Sequence, residues 1–158
     1  GWYQMATTLD FERSGVQRYA GALRLLEELV RFARETSVNG HTLAKEPQVR
    51  SKLAQMFIEV QVGTYIGFRT ISIQEHGQVP NREASASKVF GTELRQRLAN
   101  TGMNILGLYG QLKRWSRLAA LQGRFEHEYL DTVFVTIGAG SSEINRNIIA
   151  TRGLGLPR

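Results

Sequence analysis

Two stretches of this 158-residue sequence combine residue types that could bind a polar ligand or accept a proton. The first is Gly138-Ala139-Gly140-Ser141-Ser142-Glu143, near the C-terminal end. Glycines let a backbone approach a ligand closely, and a serine at the start of a helix leaves N–H groups that suit a phosphate or another polar group. An ordinary turn between helices with a serine cap would have the same residues, so a ligand-binding loop and a simple turn both stay open as interpretations.

The second stretch is the pair Glu12-Arg13, near the start of a long helical segment. A carboxylate can act as a general base when a substrate brings an acidic proton to it. An acid in the first turns of a helix is also favoured by the helix dipole alone. The pair by itself does not decide between these two roles.

Metal-binding patterns are missing from the sequence. The di-iron sites of helical bundles use Glu-x-x-His pairs, and no such pair occurs here. In Glu126-His127-Glu128 the side chains are adjacent, so they point to different faces of a helix. We expect His41, in a turn, and His76, at a helix end, to be solvated rather than catalytic. The sequence therefore predicts no metal site.

The elements that must position these residues are helices. Apolar residues recur every three or four positions, which is typical of amphipathic helices, and strand alternation is not convincing anywhere. The predicted helices run from about Asp10 to Thr36, from Pro47 onward, from Asn81 to about Ile105, from Phe125 to Ile137, and from Glu143 to Thr151. We predict an all-α fold, an up-down four-helix-type bundle with a short extra C-terminal helix.

Local details of the second and third helices can also be predicted. Gly63 and Gly67 lie one turn apart on the apolar stripe of the second helix, where they would let another backbone approach closely. Asn81 is the expected N-cap of the third helix, with Glu83 in the first turn. The stripe Ala86, Phe90, Leu94 and Leu98 is the face of that helix expected to be buried.

The composition excludes several classes of protein. Hydrophobic residues make up 42% and charged residues 22%, which is ordinary for a globular domain and argues against disorder. Cysteine is absent, which excludes a disulfide framework, a thiolate zinc site and a thiol nucleophile. The net charge of +6 comes from scattered basic residues, so we expect no nucleic-acid partner. No apolar run approaches the roughly 18 residues of a membrane span, and the first residues lack the pattern of a signal peptide.

Three segments together resemble the acyl-CoA dehydrogenase family. The run from Gly140 to Arg158 resembles the C-terminus of these enzymes, and Gly102-Met103-Asn104-Ile105-Leu106-Gly107 resembles the end of their third helix. Gly1-Trp2, followed by Thr7-Thr8-Leu9-Asp10-Phe11-Glu12-Arg13, resembles the junction between their β-domain and their C-terminal helical domain. We therefore interpret residues 1–158 as a single C-terminal helical domain, with the N-terminal helical and β domains of the family absent from this chain.

The resemblance implies a flavin-dependent oxidoreductase. In this family a carboxylate removes the α-proton of an acyl-CoA thioester and FAD takes the β-hydride, which gives a trans-2-enoyl-CoA. Many members carry the base in the loop before the last helix, where this sequence has Ala139, which cannot take a proton. A branch that includes isovaleryl- and long-chain-type enzymes places a glutamate before an arginine on the first helix, and Glu12-Arg13 matches it. The resemblance therefore assigns the catalytic base to Glu12.

Two motifs of the family are expected to contact FAD, the first of them the FAD of a neighbouring subunit. Arg34-Glu35-Thr36 matches an Arg-x-Thr motif whose arginine reaches the FAD pyrophosphate, which a guanidinium fits by paired hydrogen bonds. The usual aromatic residue after the threonine is Ser37 here. The Gln-x-x-Gly-Gly motif appears with Asn104 and Gly107, but with Leu108 in place of the second glycine. The shorter amide and the leucine weaken that half of the site.

The loop before the last helix supplies the other expected contacts. Ser141 and Glu143 match positions on the adenosine side of FAD, although the negative charge of Glu143 makes its contact less favourable than that of Ser141. The resemblance assigns substrate contacts to Asp10, Arg13 and Gly140.

The resemblance also implies partners and a location. It implies an acyl-CoA substrate, an electron-transferring flavoprotein as electron acceptor, a cytoplasmic location, and a homo-oligomer or a heteromer with a related subunit. Two alternatives stay open: a non-catalytic partner subunit of a heteromeric dehydrogenase, and a helical-bundle interaction domain. The weakened flavin motif favours the first alternative, and Glu12 argues against it.

Overall fold

The computed structural model describes residues 1, 4, 5, 8 and 15–157. Within residues 15–157 the fold is all-α, as the apolar periodicity predicts. The helices are α1 (Val16–Glu35), α2 (Pro47–Glu75), α3 (Asn81–Leu106), α4 (Arg124–Val135) and α5 (Ser142–Ile148). Two 3₁₀ turns (Leu43–Lys45 and Gly107–Gln111), a turn at Ala120–Gly123 in which Leu121 and Gln122 have positive φ, and a π-turn (Ile149–Gly153) complete this part of the chain.

A miniature hairpin separates α1 from α2. The strands β1 (Ser37–Val38) and β2 (His41–Thr42) pair antiparallel, with Val38 opposite His41. Asn39 and Gly40 both have positive φ, at 53° and 84°, which is the backbone of a two-residue hairpin turn. The sequence predicts a turn around His41 but not the strands, because a strand of two residues is too short for apolar and polar residues to alternate visibly.

The core between α1, α2 and α3 is built around one aromatic ring. Tyr19 of α1 is 1% exposed, and its ring lies against Gly63 and Gly67 of α2 and Gly91 of α3. The expectation that the two α2 glycines admit another backbone was wrong, because they accommodate the Tyr19 side chain instead. The hydroxyl of Tyr19 donates a hydrogen bond to the Ser87 carbonyl at 2.9 Å, which satisfies the buried phenol.

α3 lies at the centre of the bundle and packs against α1, α2, α4 and α5. The expected stripe is only part of what it buries: Leu94 and Leu98 are fully buried, whereas Ala86 and Phe90 are half-buried. Small and polar residues on its other faces are buried as well (Ser85, Ser87, Lys88, Thr92 and Thr101). The face that stays open to solvent is narrow and carries Arg82, Gln96, Asn100 and Asn104, so one apolar stripe does not describe what the helix buries.

The start of α3 also differs from expectation. Asn81 is the first residue inside the helix, and Pro80 is the N-cap, whose carbonyl accepts a hydrogen bond from the Ala84 N–H at 2.7 Å. Glu83 lies in the first turn, as predicted. The predicted N-cap was therefore wrong by one residue.

α1 and α3 run in the same direction, as an up-down bundle requires. Near their starts they are joined by the Tyr19–Ser87 hydrogen bond. Near their ends both contact the beginning of α4, where Arg124 pairs with Glu28 of α1 and the Phe125 ring packs on Gly102 of α3. The end of the bundle at which α1 and α3 finish is called the Gly107 end below.

α5 packs at the opposite end, against the first half of α3. There Arg146 pairs with Glu93 at 2.7 Å, and Gly153 contacts the side chain of Arg82. This is called the Ser141 end, after the N-cap residue of α5. The helix is shorter than expected and continues as the π-turn Ile149–Gly153.

Candidate cofactor and substrate site

The residues expected to touch the acyl group lie mostly outside the described part of the chain. Asp10, Glu12 and Arg13 are not among the described residues. Their assignment as base and substrate contacts stays a prediction. Gly140 is described, and it belongs to the Ser141 end.

The loop before α5 is held in shape by a buried asparagine. Asn145 is fully buried, and its side-chain amide donates to the carbonyls of Gly140 and Ser141, at 2.8 and 2.9 Å. Ala139 and Gly140 have positive φ, at 56° and 90°. The structure therefore uses the glycine at 140 for a left-handed turn, a conformation that an alanine at 139 adopts only with strain.

Ser141 caps α5, as the sequence predicts. Its hydroxyl accepts a hydrogen bond from the Ile144 N–H at 3.3 Å. The hydrogen bond with Ser141 lowers the pKa of Glu143 below its ordinary value, helped by the Glu143 backbone N–H and by the charges of Arg146 and Lys88. Glu143 is exposed and stays negatively charged at neutral pH, which disfavours direct contact with a phosphate.

A polar depression of about 310 Å³ opens beside this loop. Thr136, Ser142, Glu143 and Arg146 line one side of it, and Arg97 of α3 lies on the other. Arg97 is paired with Glu59 of α2 at 2.7 Å, so its charge is already balanced. The depression is therefore lined by both positively and negatively charged side chains, and it carries no strong excess of positive charge.

Sequence reasoning missed a buried lysine at this end. Lys88 of α3 is 1% exposed, and its ammonium donates to the Thr136 carbonyl at 3.0 Å. The only signal in the sequence is the run of small residues before it, Ala84-Ser85-Ala86-Ser87, which lets neighbouring helices approach α3 closely.

The two expected flavin motifs, one at the end of α1 and the other at the end of α3, both lie at the Gly107 end of the bundle. The Thr36 N–H donates to Phe32 and the Thr36 carbonyl accepts from Leu43, both at 2.9 Å, which fixes the chain after α1. Arg34 in the last turn is exposed, and within the described residues it has no ion-pair partner. Its guanidinium is therefore available to an anion.

The second motif at this end follows α3. Gly107 ends the helix with φ 57° and ψ −137°, and its N–H donates to the Met103 carbonyl. Asn104 is exposed, and Leu108 is 82% exposed. A leucine so exposed next to a glycine turn presents apolar surface where the family motif has none.

The two ends are far apart. Lys88 marks the level of the Ser141 end on α3, and Asn104 lies 16 residues later on the same helix. At about 1.5 Å a residue, the separation along α3 is about 24 Å. One protomer therefore presents two separate groups of candidate cofactor residues.

The family model for the acyl-CoA dehydrogenase C-terminal domain matches residues 1–154. The chain belongs to the acyl-CoA dehydrogenase family. Its helical bundle is the domain that the model describes, which agrees with the resemblance of the three sequence segments.

Several acyl-CoA dehydrogenases resemble the whole chain. The acyl-CoA dehydrogenase FadE26 of Mycobacterium tuberculosis is 33% identical over 163 residues, covering 100% of this chain and 40% of that protein. The solved structure of the Tcur3481-Tcur3483 steroid ACAD is 30% identical with a TM-score of 0.89, covering 100% of this chain and 40% of that one. The ChsE4-ChsE5 complex of Mycobacterium tuberculosis is 34% identical with a TM-score of 0.82, covering 89% of this chain and 36% of that one. The chain thus spans about 40% of the length of such relatives.

The described residues were also compared with the requirements of a metal site and of a membrane-spanning helix. In the part of the chain that the structure describes, no three histidine, aspartate or glutamate side chains cluster closely enough to hold a metal ion. None of the described helices is both long and apolar enough to cross a membrane.

Proposed function

We propose that this chain is the C-terminal helical domain of an FAD-dependent acyl-CoA dehydrogenase that converts an acyl-CoA thioester to a trans-2-enoyl-CoA. The observation that carries the proposal is the family match over nearly the whole chain, residues 1–154. The arrangement of the candidate cofactor residues at the two ends of the bundle supports it.

The described residues are chemically suited to FAD. Arg34 is an exposed guanidinium that can pair with a diphosphate by two hydrogen bonds. The backbone at Gly107 has no side chain to block close approach, and the Ser141 hydroxyl can bind a polar edge of the adenosine. When bound, FAD would supply a hydride acceptor, which no amino-acid side chain provides.

Glu12 is the proposed base. A carboxylate can remove the α-proton because hydrogen bonds to the thioester carbonyl stabilise the developing enolate, which brings the acidity of the α-carbon within its range. Arg13 would keep Glu12 ionised if the two side chains meet. The other position used in the family holds Ala139, which is exposed and has no group that could accept a proton.

The distance between the two ends supports an oligomer. The candidate FAD residues at the Gly107 end lie about 24 Å along α3 from those at the Ser141 end. We propose that each end contacts a different FAD, so that a complete site combines two subunits. The partner subunit is a second copy or a related chain, as in the ChsE4-ChsE5 complex that the fold resembles.

A flavin spectrum of the intact protein, with every segment that accompanies this chain, tests the proposal. We expect stoichiometric FAD that is bleached anaerobically by an acyl-CoA, with an electron-transferring flavoprotein as acceptor and a cytoplasmic location. The acyl-CoA panel should include steroid side-chain thioesters, because a steroid ACAD is among the similar structures. The 158-residue chain alone should hold no flavin through gel filtration. Absence of flavin from the intact protein, expressed alone and with candidate partners, would overturn the proposal.

A non-catalytic subunit of a heteromeric dehydrogenase is the second candidate. The exposed Leu108 and the short amide of Asn104 favour it, because both weaken the motif at the Gly107 end. In that case FAD should appear only after co-expression with a related subunit, and replacing Glu12 should leave flavin reduction unchanged.

A further inference from the structure

Lys88 is a charged side chain in an unusual position. It lies in the middle of the first half of α3, between α4 and α5, and only 1% of its surface is exposed. Removing an ammonium from water is unfavourable unless strong hydrogen bonds compensate for it. A lysine here therefore needs a specific acceptor, and the structure provides one.

One acceptor is the carbonyl of Thr136, just after the end of α4. Lys88 Nζ donates to it at 3.0 Å. The N–H of Ser142, the first residue of α5, donates to the same carbonyl at 3.1 Å. One oxygen thus joins the central helix, the end of α4 and the start of α5.

These two bonds close the loop that carries the candidate FAD contact. The segment between the two bonded residues is 137–141, which includes the positive-φ residues Ala139 and Gly140 and the cap Ser141. Lys88 also lies close enough to Glu143 for its charge to contribute to the lowered pKa of that carboxyl group. Lys88 therefore contacts the residue at which the loop begins, and its positive charge acts on Glu143 at the other end of the loop.

We propose that Lys88 is the positioning residue of the 137–143 loop and sets the geometry with which Ser141 meets its ligand. An ammonium gives a stronger hydrogen bond to a carbonyl than a neutral donor does. It therefore holds the carbonyl in place for the Ser142 N–H. That Ser141 meets FAD rests on the proposed function; that Lys88 orders the loop does not.

Three variants of the intact protein separate this role from simple stability. Lys88→Met keeps the length of the side chain and removes the donor, whereas Lys88→Arg keeps a charged donor. Thr70→Val is the control, because it removes a buried hydroxyl of α2 that bonds the Ile66 carbonyl at 2.9 Å, away from the loop. Thermal unfolding, the FAD dissociation constant, and hydrogen exchange of peptides covering 136–148 are measured for each.

For Lys88→Met we expect exchange in 136–148 to become faster by about tenfold or more, as for loss of a hydrogen bond to a charged group, with the other helices little changed. The FAD dissociation constant should rise by a similar factor. Lys88→Arg should recover part of both effects. Thr70→Val should lower the unfolding temperature without changing either loop exchange or FAD binding.

The result that would overturn the proposal is unchanged exchange in 136–148, or an increase spread evenly over all helices. If Lys88→Met does not fold, Lys88→Gln takes its place. The comparison is then between a charged donor at position 88 in Lys88→Arg and a neutral donor in Lys88→Gln. An intact wild-type protein without flavin would overturn the proposed function but leave the exchange test of Lys88 valid. Faster loop exchange with unchanged FAD affinity would overturn the link between the loop and the cofactor.

Discussion

At the scale of single residues, the chemistry depends on where the chain carries a carboxylate. Ala139 is exposed, and by the family resemblance we propose that it stands at the loop position from which many acyl-CoA dehydrogenases take the α-proton. Glu12, on the expected first helix, is the proposed replacement. Because the two positions would serve one reaction, exchanging the carboxylate between them is a direct test.

Glu12→Gln in the intact protein keeps the shape of the side chain but cannot accept a proton. We expect anaerobic flavin reduction by substrate to slow by roughly 10²–10⁴-fold, the range for loss of a general base. Substrate affinity should change much less, because the loss falls on the transition state. Stopped-flow absorbance of the flavin measures the rate. Near-normal reduction would show that the base lies in another domain or subunit.

The companion variant restores a carboxylate at the other position. Ala139→Glu in the Glu12→Gln background should recover part of the rate, since position 139 is exposed and open to a longer side chain. Ala139→Gln in the same background is the control, and it should recover nothing.

The titration of the Tyr19 phenol depends on its burial in the core between α1, α2 and α3. Burial raises the pKa of Tyr19 above its ordinary value near 10, and its hydrogen bond with Ser87 and the charge of Arg18 offset part of that rise. A pKa that is higher in the folded state favours the neutral phenol. Its contribution to stability is therefore complete below pH 10 and is lost as the pH rises above it.

Tyr19→Phe tests this pH dependence. At neutral pH the variant should be less stable by about 1 kcal/mol, the net value of a buried hydrogen bond. From about pH 10 upward the difference from wild type should narrow, because only the wild-type protein loses stability through this group. Urea unfolding followed by circular dichroism from pH 8 to 11 gives both values. A difference that stays constant above pH 10 would contradict the assignment.

At the scale of helices, glycines set how closely α1, α2 and α3 approach. A β-carbon on Gly63 would overlap the ring of Tyr19, and one on Gly67 would lie 2.8 Å from the Val16 side chain. Neither glycine has the positive φ that would require it for backbone reasons. Their role is to leave space for the side chains of α1.

Gly63→Ala should destabilise the domain by about 1–3 kcal/mol, because a methyl group added to a packed core forces its neighbours to move. Gly21→Ala is the matched control. Gly21 lies on the exposed face of α1 with no atom near its missing β-carbon, so alanine there should stabilise the helix by about 0.5–1 kcal/mol. Chemical denaturation should show changes in the free energy of unfolding that have opposite signs in the two variants. A stabilising Gly63→Ala would contradict the packing around Tyr19.

At the scale of the whole molecule, two helix faces expose large apolar side chains. One is on α2 and includes Phe57, Ile58, Val62, Tyr65 and Phe68. The other is on α4 and the turn after it, with Leu130, Val133, Phe134 and Ile137. Apolar patches of this kind mark surfaces that other protein covers.

The 158-residue chain by itself should therefore self-associate. We expect sedimentation velocity at tens of micromolar to give species larger than a monomer, because uncovered apolar faces associate. Phe68→Glu, at the exposed edge of the α2 face, should shift the distribution toward the monomer. Arg117→Glu, on the exposed connection before α4, is the control that changes charge away from both faces. A wild-type chain that stays monomeric would contradict the prediction.

Much of the architecture could be predicted from local patterns. The all-α class, the turn before α2 and the Ser141 cap of α5 follow from apolar periodicity and from residues whose own backbone or side chain makes the structure. The exact start of α3 could not be predicted in this way. Asn81 was the expected N-cap, but Pro80 is the N-cap, and only the backbone conformation of the folded chain shows which of the two residues begins the helix. The site assignments at Glu12, Arg34 and Ser141 stay predictions, because they concern a ligand and its partners.

By itself, the sequence determined the helices and their order, because the spacing of apolar residues and the turn residues between them act over a few positions. It also indicated the family, through segments near both ends of the chain and after α3. Only the tertiary structure decided that α3 is buried over most of its surface, that Gly63 and Gly67 receive the ring of Tyr19, and that Lys88 meets the carbonyl of Thr136, 48 residues away. Those contacts join residues distant in the chain, and the small and polar residues that α3 buries leave no apolar periodicity from which to find them.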